Sequence, residues 1–464
     1  MTEPAALALR LDRDAAETLP VQLAGQVRDL VMARTLTPGQ RLPSSRALAA
    51  ELSVARAVVE AAFDQLHAEG WVTTRRGAGT FVDDVGLRPD RERVRARRSV
   101  PGGGDSLRGL VSFDTGTPYV DPRLQAGWRR AWREMSTITP PRGYPEPAGL
   151  PELRDRLAGH LARTRGLTCE AANVLVTAGT THGLSLLLAA TSAAAPARAR
   201  AVAIEDPGYR AAVAVAQTAG FDVVDVPVDE AGLDVDALRD VPRDDVAAVY
   251  VTPAHQHPTG ATLSAARRLA LVAEARRRGA WVVEDDYDSE FRYDVAPLPA
   301  LASLSSDVVY LGTAAKSVHP SMRLGWLVGP SDLVAQLADR AGEQHDHASW
   351  PTQRAFVAML RDGYVDRVVR SARRVYTRRG ERIRRQLGGL TPVTGAGAGM
   401  YVTLPMPPRQ AERVRAATLS AGFDLPLLAA YGRSHRRHGL VLGFGGVTDD
   451  ELARCLGVMR SALA

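Results

Sequence analysis

The feature that most restricts the fold is a series of short apolar runs through the middle of the chain. They are Asn173-Val-Leu-Val-Thr177, Ala201–Glu205, Asp222–Val226, Val246–Val251, Ala280–Asp285, Val308–Leu311 and Gly325–Val328. Each is long enough for one strand, and helical stretches at 182–195, 208–219 and 264–278 separate several of them. Continuously apolar strands alternating with helices build a large, mainly parallel sheet covered by helices. The reading from residue 111 to 464 is therefore α/β, with a smaller C-terminal α+β subdomain from about 355.

Residues 18–82 follow another pattern. Val21, Val27, Leu30 and Val31 recur at helical spacing behind a proline in the first turn. Ser44 or Ser45 can cap a second helix carrying Leu48, Ala49 and Leu52. After a break at Ser53 and Val54, a third helix carries Val58, Val59, Ala62, Phe63 and Leu66, and Gly70 suits its end. Trp71–Val82 is β-rich on both sides of Gly77-Ala-Gly79, which predicts a hairpin. Three helices and a hairpin make a winged helix-turn-helix over residues 1–82, with its third helix in the major groove. Residues 83–110 combine charge, few apolar residues and Gly102-Gly-Gly104, the composition of a flexible linker. The arginines between Arg361 and Arg385 alternate with Val365, Val368, Val369 and Tyr376, an amphipathic helix with a solvated basic face.

Composition narrows the functional classes. A net charge of +6 permits a nucleic-acid partner without requiring one. Cys169 and Cys455 have no metal-ligand spacing and form no disulfide framework, which fits a reducing compartment and no metal. The chain shows no secretory signal pattern and no apolar run of about 20 residues, so a soluble cytoplasmic protein without a membrane partner is expected.

Lys316, in Tyr310-Leu-Gly-Thr-Ala-Ala-Lys316, is the only lysine in a chain whose other strong bases are arginines. Guanidinium cannot supply a neutral nucleophilic amine, whereas lysine can, so amine chemistry such as a Schiff base is the expected use. Glu284-Asp-Asp-Tyr287 ends one strand-like run and Lys316 follows the next. Thr177-Ala-Gly-Thr-Thr-His182 joins a strand to a helix and offers backbone N–H groups to a phosphate. Asp206–Tyr209 and Thr252–Gly260 are further strand exits. In open α/β sheets such turns converge beyond the carboxyl ends of the strands. A lysine, a carboxylate, a phenol and a phosphate cradle suit pyridoxal 5'-phosphate, PLP.

The words Leu42-Pro-Ser-Ser-Arg46, Ala68-Glu-Gly-Trp71 and Gly77-Ala-Gly-Thr-Phe81 resemble the DNA-binding domain of GntR-type regulators. The later part resembles fold-type-I aminotransferases, and the whole chain resembles the MocR/GabR regulators that fuse the two. The resemblance implies operator-DNA contacts from Ser44, Arg46, Arg56, Arg75, Arg76 and the wing at Gly77. It implies that Lys316 forms the Schiff base, Asp285 pairs with the pyridine nitrogen, Tyr287 meets the 3'-oxygen and Tyr209 stacks on the ring. Thr180, Thr181, Thr313 and Arg323 would hold the phosphate, and Tyr144 would reach a partner's site. It also implies a head-to-tail, domain-swapped homodimer.

Several departures carry information. Ala55 and Ala57 flank Arg56 where polar residues are usual, and Glu60 stands where some relatives are basic. His257 replaces the usual asparagine before Pro-Thr-Gly. Val441 stands where aminotransferases place the arginine that clamps an amino-acid carboxylate, with Arg433, Arg436 and Arg437 as candidates to replace it. The expected function is a regulator that senses PLP, or an amine or amino-acid effector, and could serve vitamin B6 metabolism. The competing classes are a working aminotransferase with an appended winged helix and a dimerisation shell without cofactor.

Overall fold

The computed structural model describes residues 7, 9–15, 17–75, 79–84, 109–194, 200–242, 245–293, 298–395, 397–433 and 437–464. They belong to two units, Met1–Gly103 and Gly104–Ala464. The expected linker lies almost wholly outside the described residues.

The first unit contains α1 (Leu19–Met32), α2 (Ser45–Glu51) and α3 (Arg56–Ala68), then β1 (Val72–Arg75) and β2 (Gly79–Val82). Helix α1 buries Leu23, Ala24, Val27 and Val31, a stripe at four-residue intervals. Val21, expected in that stripe, is 44% exposed instead, because Leu23 sets the register. Ser44 caps α2, its hydroxyl accepting from the Ala47 N–H at 3.2 Å. Helix α3 turns Val59, Ala62, Phe63 and Leu66 into the same core as Leu42, Val72 and Val82. The hairpin is antiparallel, with Val72 opposite Val82 and Arg75 opposite Gly79.

The second unit opens with β3 (Val111–Ser112). Its main sheet is built from β4 (Val174–Thr177), β5 (Ala201–Asp206), β6 (Asp222–Asp229), β7 (Gly232–Leu233), β8 (Val246–Val251), β9 (Trp281–Asp286), β10 (Val308–Thr313) and β11 (Gly325–Val328). The order is β4-β11-β10-β9-β8-β5-β6-β7. Strands β5, β6, β8, β9 and β10 pair in parallel, whereas β11 runs antiparallel to both β10 and β4. Each expected apolar run is a strand, displaced by a residue or two at most at its start. Successive residues pack on opposite faces: Tyr250, Val283 and Val309 enter one core layer, and Val249, Val282 and Val308 the other. Both layers are closed by helices, which is why these strands read as apolar throughout.

The C-terminal part adds β12 (Tyr401–Pro405), β13 (Phe423–Asp424) and β14 (Gly439–Gly443). Strand β12 pairs with β14, and β13 pairs back with β3. Position 355 falls inside the helix Trp350–Arg361. The long helix Tyr364–Leu387 buries Val365, Val368, Val369, Ala372, Val375, Tyr376 and Ile383 along one side, as its periodicity predicts. Among the described residues no helix is long and apolar enough to cross a membrane.

Candidate functional site

A cavity of about 390 Å³ lies where the loops after β4, β5, β8, β9 and β10 meet. Thr180, Thr181, Tyr209, His257, Asp285, Tyr287, Thr313, Lys316 and Arg323 all line it. Parallel strands present their carboxyl ends on one edge, and antiparallel β11 returns Arg323 to that edge, with Thr313 opposite Gly325.

Lys316 reaches into the cavity and its Nζ donates to the Gly116 carbonyl at 2.7 Å. Burial lowers its pKa, against the opposing pull of Asp288, Asp114 and Asp285, so the neutral amine is favoured relative to an exposed lysine. Asp285 sits at an inward position of β9. Its neighbours Glu284 and Asp286 point the other way: Glu284 accepts from the Leu301 and Ala302 N–H groups at 2.9 Å, and Asp286 pairs with Arg165 at 2.5 Å. Period-two alternation thus divides one acidic word between structure and cavity.

Burial pushes Asp285 up to about 7, while the hydroxyl of Tyr250 donates to its Oδ2. Its Oδ1 is buried with no hydrogen-bond partner. A buried carboxylate oxygen without a donor is costly, and the protonated nitrogen of a pyridine ring is the donor it lacks. Thr180 and Thr181 line the same cavity and begin the helix Thr180–Ala194, whose first N–H groups attract an anion, while the Thr180 side chain lies near enough to Asp285 to oppose the upward push of burial. Arg323 stands beside Gly179, where a Cβ would lie 3.8 Å from its guanidinium, and among the described residues no carboxylate pairs with it. Helix N–H groups and a guanidinium, an amine and a buried carboxylate oxygen without a hydrogen-bond partner, all in one cavity, fit PLP.

The aromatic wall differs from a simple phenol contact. Tyr287 donates to the His255 carbonyl at 2.8 Å and shares a 2.6 Å hydrogen bond with Tyr401. His257 is buried, and desolvation followed by the charge of Lys316 lowers its pKa to about 3, so its imidazole is neutral. It stands edge-on to Tyr209, Tyr287, Tyr401 and Tyr431. Behind it, His255 and Asp288 form a buried pair at 2.8 Å.

Val441 is fully buried against Tyr401 and Leu428. Neither candidate replacement lines the cavity: Arg433 faces Asp225 at 3.5 Å and Arg437 donates to the Val228 carbonyl at 2.5 Å. Arg436 lies outside the described residues. Tyr250, Tyr401, His255 and the loop Asp114–Thr117 were not singled out from the sequence. Tyr250 had a visible signal, a phenol within an aliphatic strand. The loop Asp114–Thr117 had almost none, since the strand before it is two residues long.

In the first unit Arg46 and Arg75 are exposed, and Arg75 lies over the Phe81 ring at 4.9 Å. Arg56 at the start of α3 pairs with Glu60 at 2.7 Å and approaches Ser45. Arg76 and Gly77 lie outside the described residues. Tyr144 is 76% exposed and stacks on His345 at 4.4 Å between ring centres.

Residues 19–82 match the family described as bacterial regulatory proteins, gntR family, and residues 110–430 match aminotransferase class I and II. The HTH-type pyridoxine biosynthesis transcriptional regulator PdxR of Corynebacterium glutamicum is 37% identical over 99% of both chains. The "Probable rhizopine catabolism regulatory protein MocR" of Rhizobium meliloti is 30% identical over 98% of this chain and 95% of its own. Among solved structures, an archaeal alanine:glyoxylate aminotransferase aligns with a TM-score of 0.68 at 23% identity, covering 76% of this chain and 90% of that one. The α-aminoadipate aminotransferase of Thermus thermophilus, in complex with N-(5'-phosphopyridoxyl)-L-leucine, aligns at 0.66 and 24% identity, covering 77% and 92%. With both domains in order and relatives matched end to end, the chain belongs to the MocR-type HTH transcriptional regulators, in which a GntR-family winged helix precedes an aminotransferase class I and II domain.

Proposed function

We propose that this regulator binds PLP through Lys316 and responds to PLP itself, adjusting the supply of that vitamin B6 cofactor. One observation carries the reading: the cavity keeps a half-buried lysine together with an Asp285 oxygen that has no hydrogen-bond partner, and Val441 is buried where the resemblance places the arginine that clamps an amino-acid carboxylate. Asp285 would hold the pyridine nitrogen and Tyr209 the ring face. Thr180, Thr181, Thr313 and Arg323 would hold the phosphate, with Tyr287 or His257 at the 3'-oxygen. Bound there, PLP supplies an aldehyde able to condense with an amine and a ring that withdraws electrons. The protein's own contribution is to lower the Lys316 pKa by burial, to keep Asp285 dry and to hold the phosphate end fixed. The name of the pyridoxine-biosynthesis relative agrees with a B6 role.

Operator DNA would be read by Arg46 and Arg56, with Ser44, Arg75, Arg76 and Gly77 at the backbone. The active form would be a head-to-tail, domain-swapped homodimer in the cytoplasm, with Tyr144 reaching the partner's cavity. Occupancy acts as a switch only if PLP binds two arrangements of the dimer with different affinity. Operator fragments recovered by genome-wide binding supply the test, titrated with PLP and then with amino acids. Release or retention by PLP alone is expected. A response that needs an amino acid above saturating PLP overturns the PLP-sensor reading. Lys316→Ala should lose both the visible absorption of the loaded protein and the response, since no other lysine can substitute.

A second reading, residual transamination, is favoured by the retained Lys316, Asp285 and Tyr287. A single half-reaction with an amino donor is compatible with the cavity, whereas Val441 disfavours sustained turnover. Robust multiple turnover with a keto acid would move the assignment to an enzyme.

A further inference from the structure

The helix Tyr364–Leu387 concentrates charge as no other element does. It carries nine arginines against Asp366 and Glu381, a net of +7, so the rest of a +6 chain is left at −1. Packing explains one side of it, including Arg379, which turns inward to Asp449 and the Phe444 carbonyl. On the outer side Arg367, Arg370, Arg374 and Arg378 follow at intervals of three, four and four residues, which sets them in one row. The row borders an open groove of about 850 Å³, whose other wall is the segment from Asp121 to Leu124. Asp121 does not neutralise the groove: it is engaged by Arg123 at 2.8 Å and by Ser371 at 2.6 Å. Arg367 donates to the Asp362 carbonyl and Arg378 pairs with Asp449. Arg370 and Arg374 are exposed and, among the described residues, have no hydrogen-bond or ion-pair partner.

Like charges at these spacings disfavour a helix, and Arg370 and Arg374, the two unpaired members at the centre of the row, suit an anionic partner. We infer that the arginine row is a second, sequence-independent contact for the backbone of double-stranded DNA. The row spans about 16 Å at 1.5 Å per residue, and a duplex presents a charge about every 1.7 Å along its axis. Guanidinium forks match phosphate oxygens. Among the described residues no aromatic ring lines the groove to stack an unpaired base, which favours duplex over single strands. Among the described residues Leu124 and Val375 are its only large apolar lining residues, too few for the centre of a protein interface. The inference rests on the DNA-binding function of the family and is independent of the PLP reading.

The test uses the full-length protein and a generic duplex of about 60 base pairs, with affinity measured across a salt series. The variants are Arg370→Gln/Arg374→Gln in the wild-type background and again with Arg46→Gln/Arg56→Gln. Each lost phosphate contact lowers the slope of log K against log salt by about 0.9, so the pair should lower it by about 2 in both backgrounds. Arg370→Lys/Arg374→Lys, which keeps the charge, should restore most of the slope and controls for misfolding. An unchanged slope overturns the inference. So does a glutamine pair that splits the oligomer in sedimentation at unchanged slope, because the row would then join copies of the chain.

Discussion

Three buried carboxyl groups stand at or near the carboxyl ends of the parallel strands, Asp285 in the cavity and Glu205 and Glu284 outside it, and their cost is measurable. Asp285, Glu205 and Glu284 are each pushed up to about 7, with burial the largest cause. A raised carboxyl pKa means that folding favours the protonated form. The associated stability is complete below about pH 4 and is lost as pH rises through about 7. The ligand-free protein should therefore melt lower at pH 8 than at pH 5. Asp285→Asn removes one of the three contributions, which should raise stability at pH 8 by about 1 kcal/mol while weakening PLP binding. Calorimetry at both pH values checks the first effect and a PLP titration the second. Tyr250 acts through the same group. Its hydroxyl stabilises ionised Asp285, so Tyr250→Phe should raise the aspartate pKa further and weaken PLP about tenfold, the effect of losing one hydrogen bond to a charged group. Equal affinity in the phenylalanine variant would remove Tyr250 from the site.

At the scale of elements, the aromatic wall depends on how closely the turn before β12 approaches the loop after β8. Gly399 has φ +68°, and a Cβ there would lie 2.4 Å from the His255 ring and 2.5 Å from the Asp288 carboxylate. Gly399→Ala must adopt a left-handed backbone and displace the His255–Asp288 pair, at a cost of about 3 kcal/mol. A chemical-denaturation midpoint that moves by less than a third of that would show that the turn can yield. Strands β8 and β9 are legible as continuous apolar runs, and the pleat then assigns their side chains to two faces. Glu284, Asp285 and Asp286 look equivalent as a word, and the pleat sends the middle one to the cavity and the outer two to Arg165, Tyr310 and the Leu301 turn.

At the scale of the whole molecule, the two units have separate cores, the first around Leu23, Val59 and Phe63 and the second around the sheet. Two thermal transitions are expected, and only the one from the second unit should respond to PLP. At a hundredfold excess over Kd that unit gains about 2.7 kcal/mol. A single transition displaced as a whole by PLP would show that the units melt together.

The strands and the winged helix are legible in the sequence because strand and helix patterns are local, and nine of the residues that line the cavity, Lys316 among them, are legible from motif and resemblance, whereas Tyr250 and the loop Asp114–Thr117 are not. The sequence also exposed the missing clamp at Val441. Which atoms of those residues are left to act depends on contacts between distant parts of the chain. Tyr250, from a neighbouring strand, takes one oxygen of Asp285, and Oδ1 is left without a hydrogen-bond partner. Lys316 rests on Gly116, 200 residues away in sequence, and Arg433 is turned to Asp225 rather than the cavity. Such pairings follow from strand order and chain crossing, which no local pattern encodes.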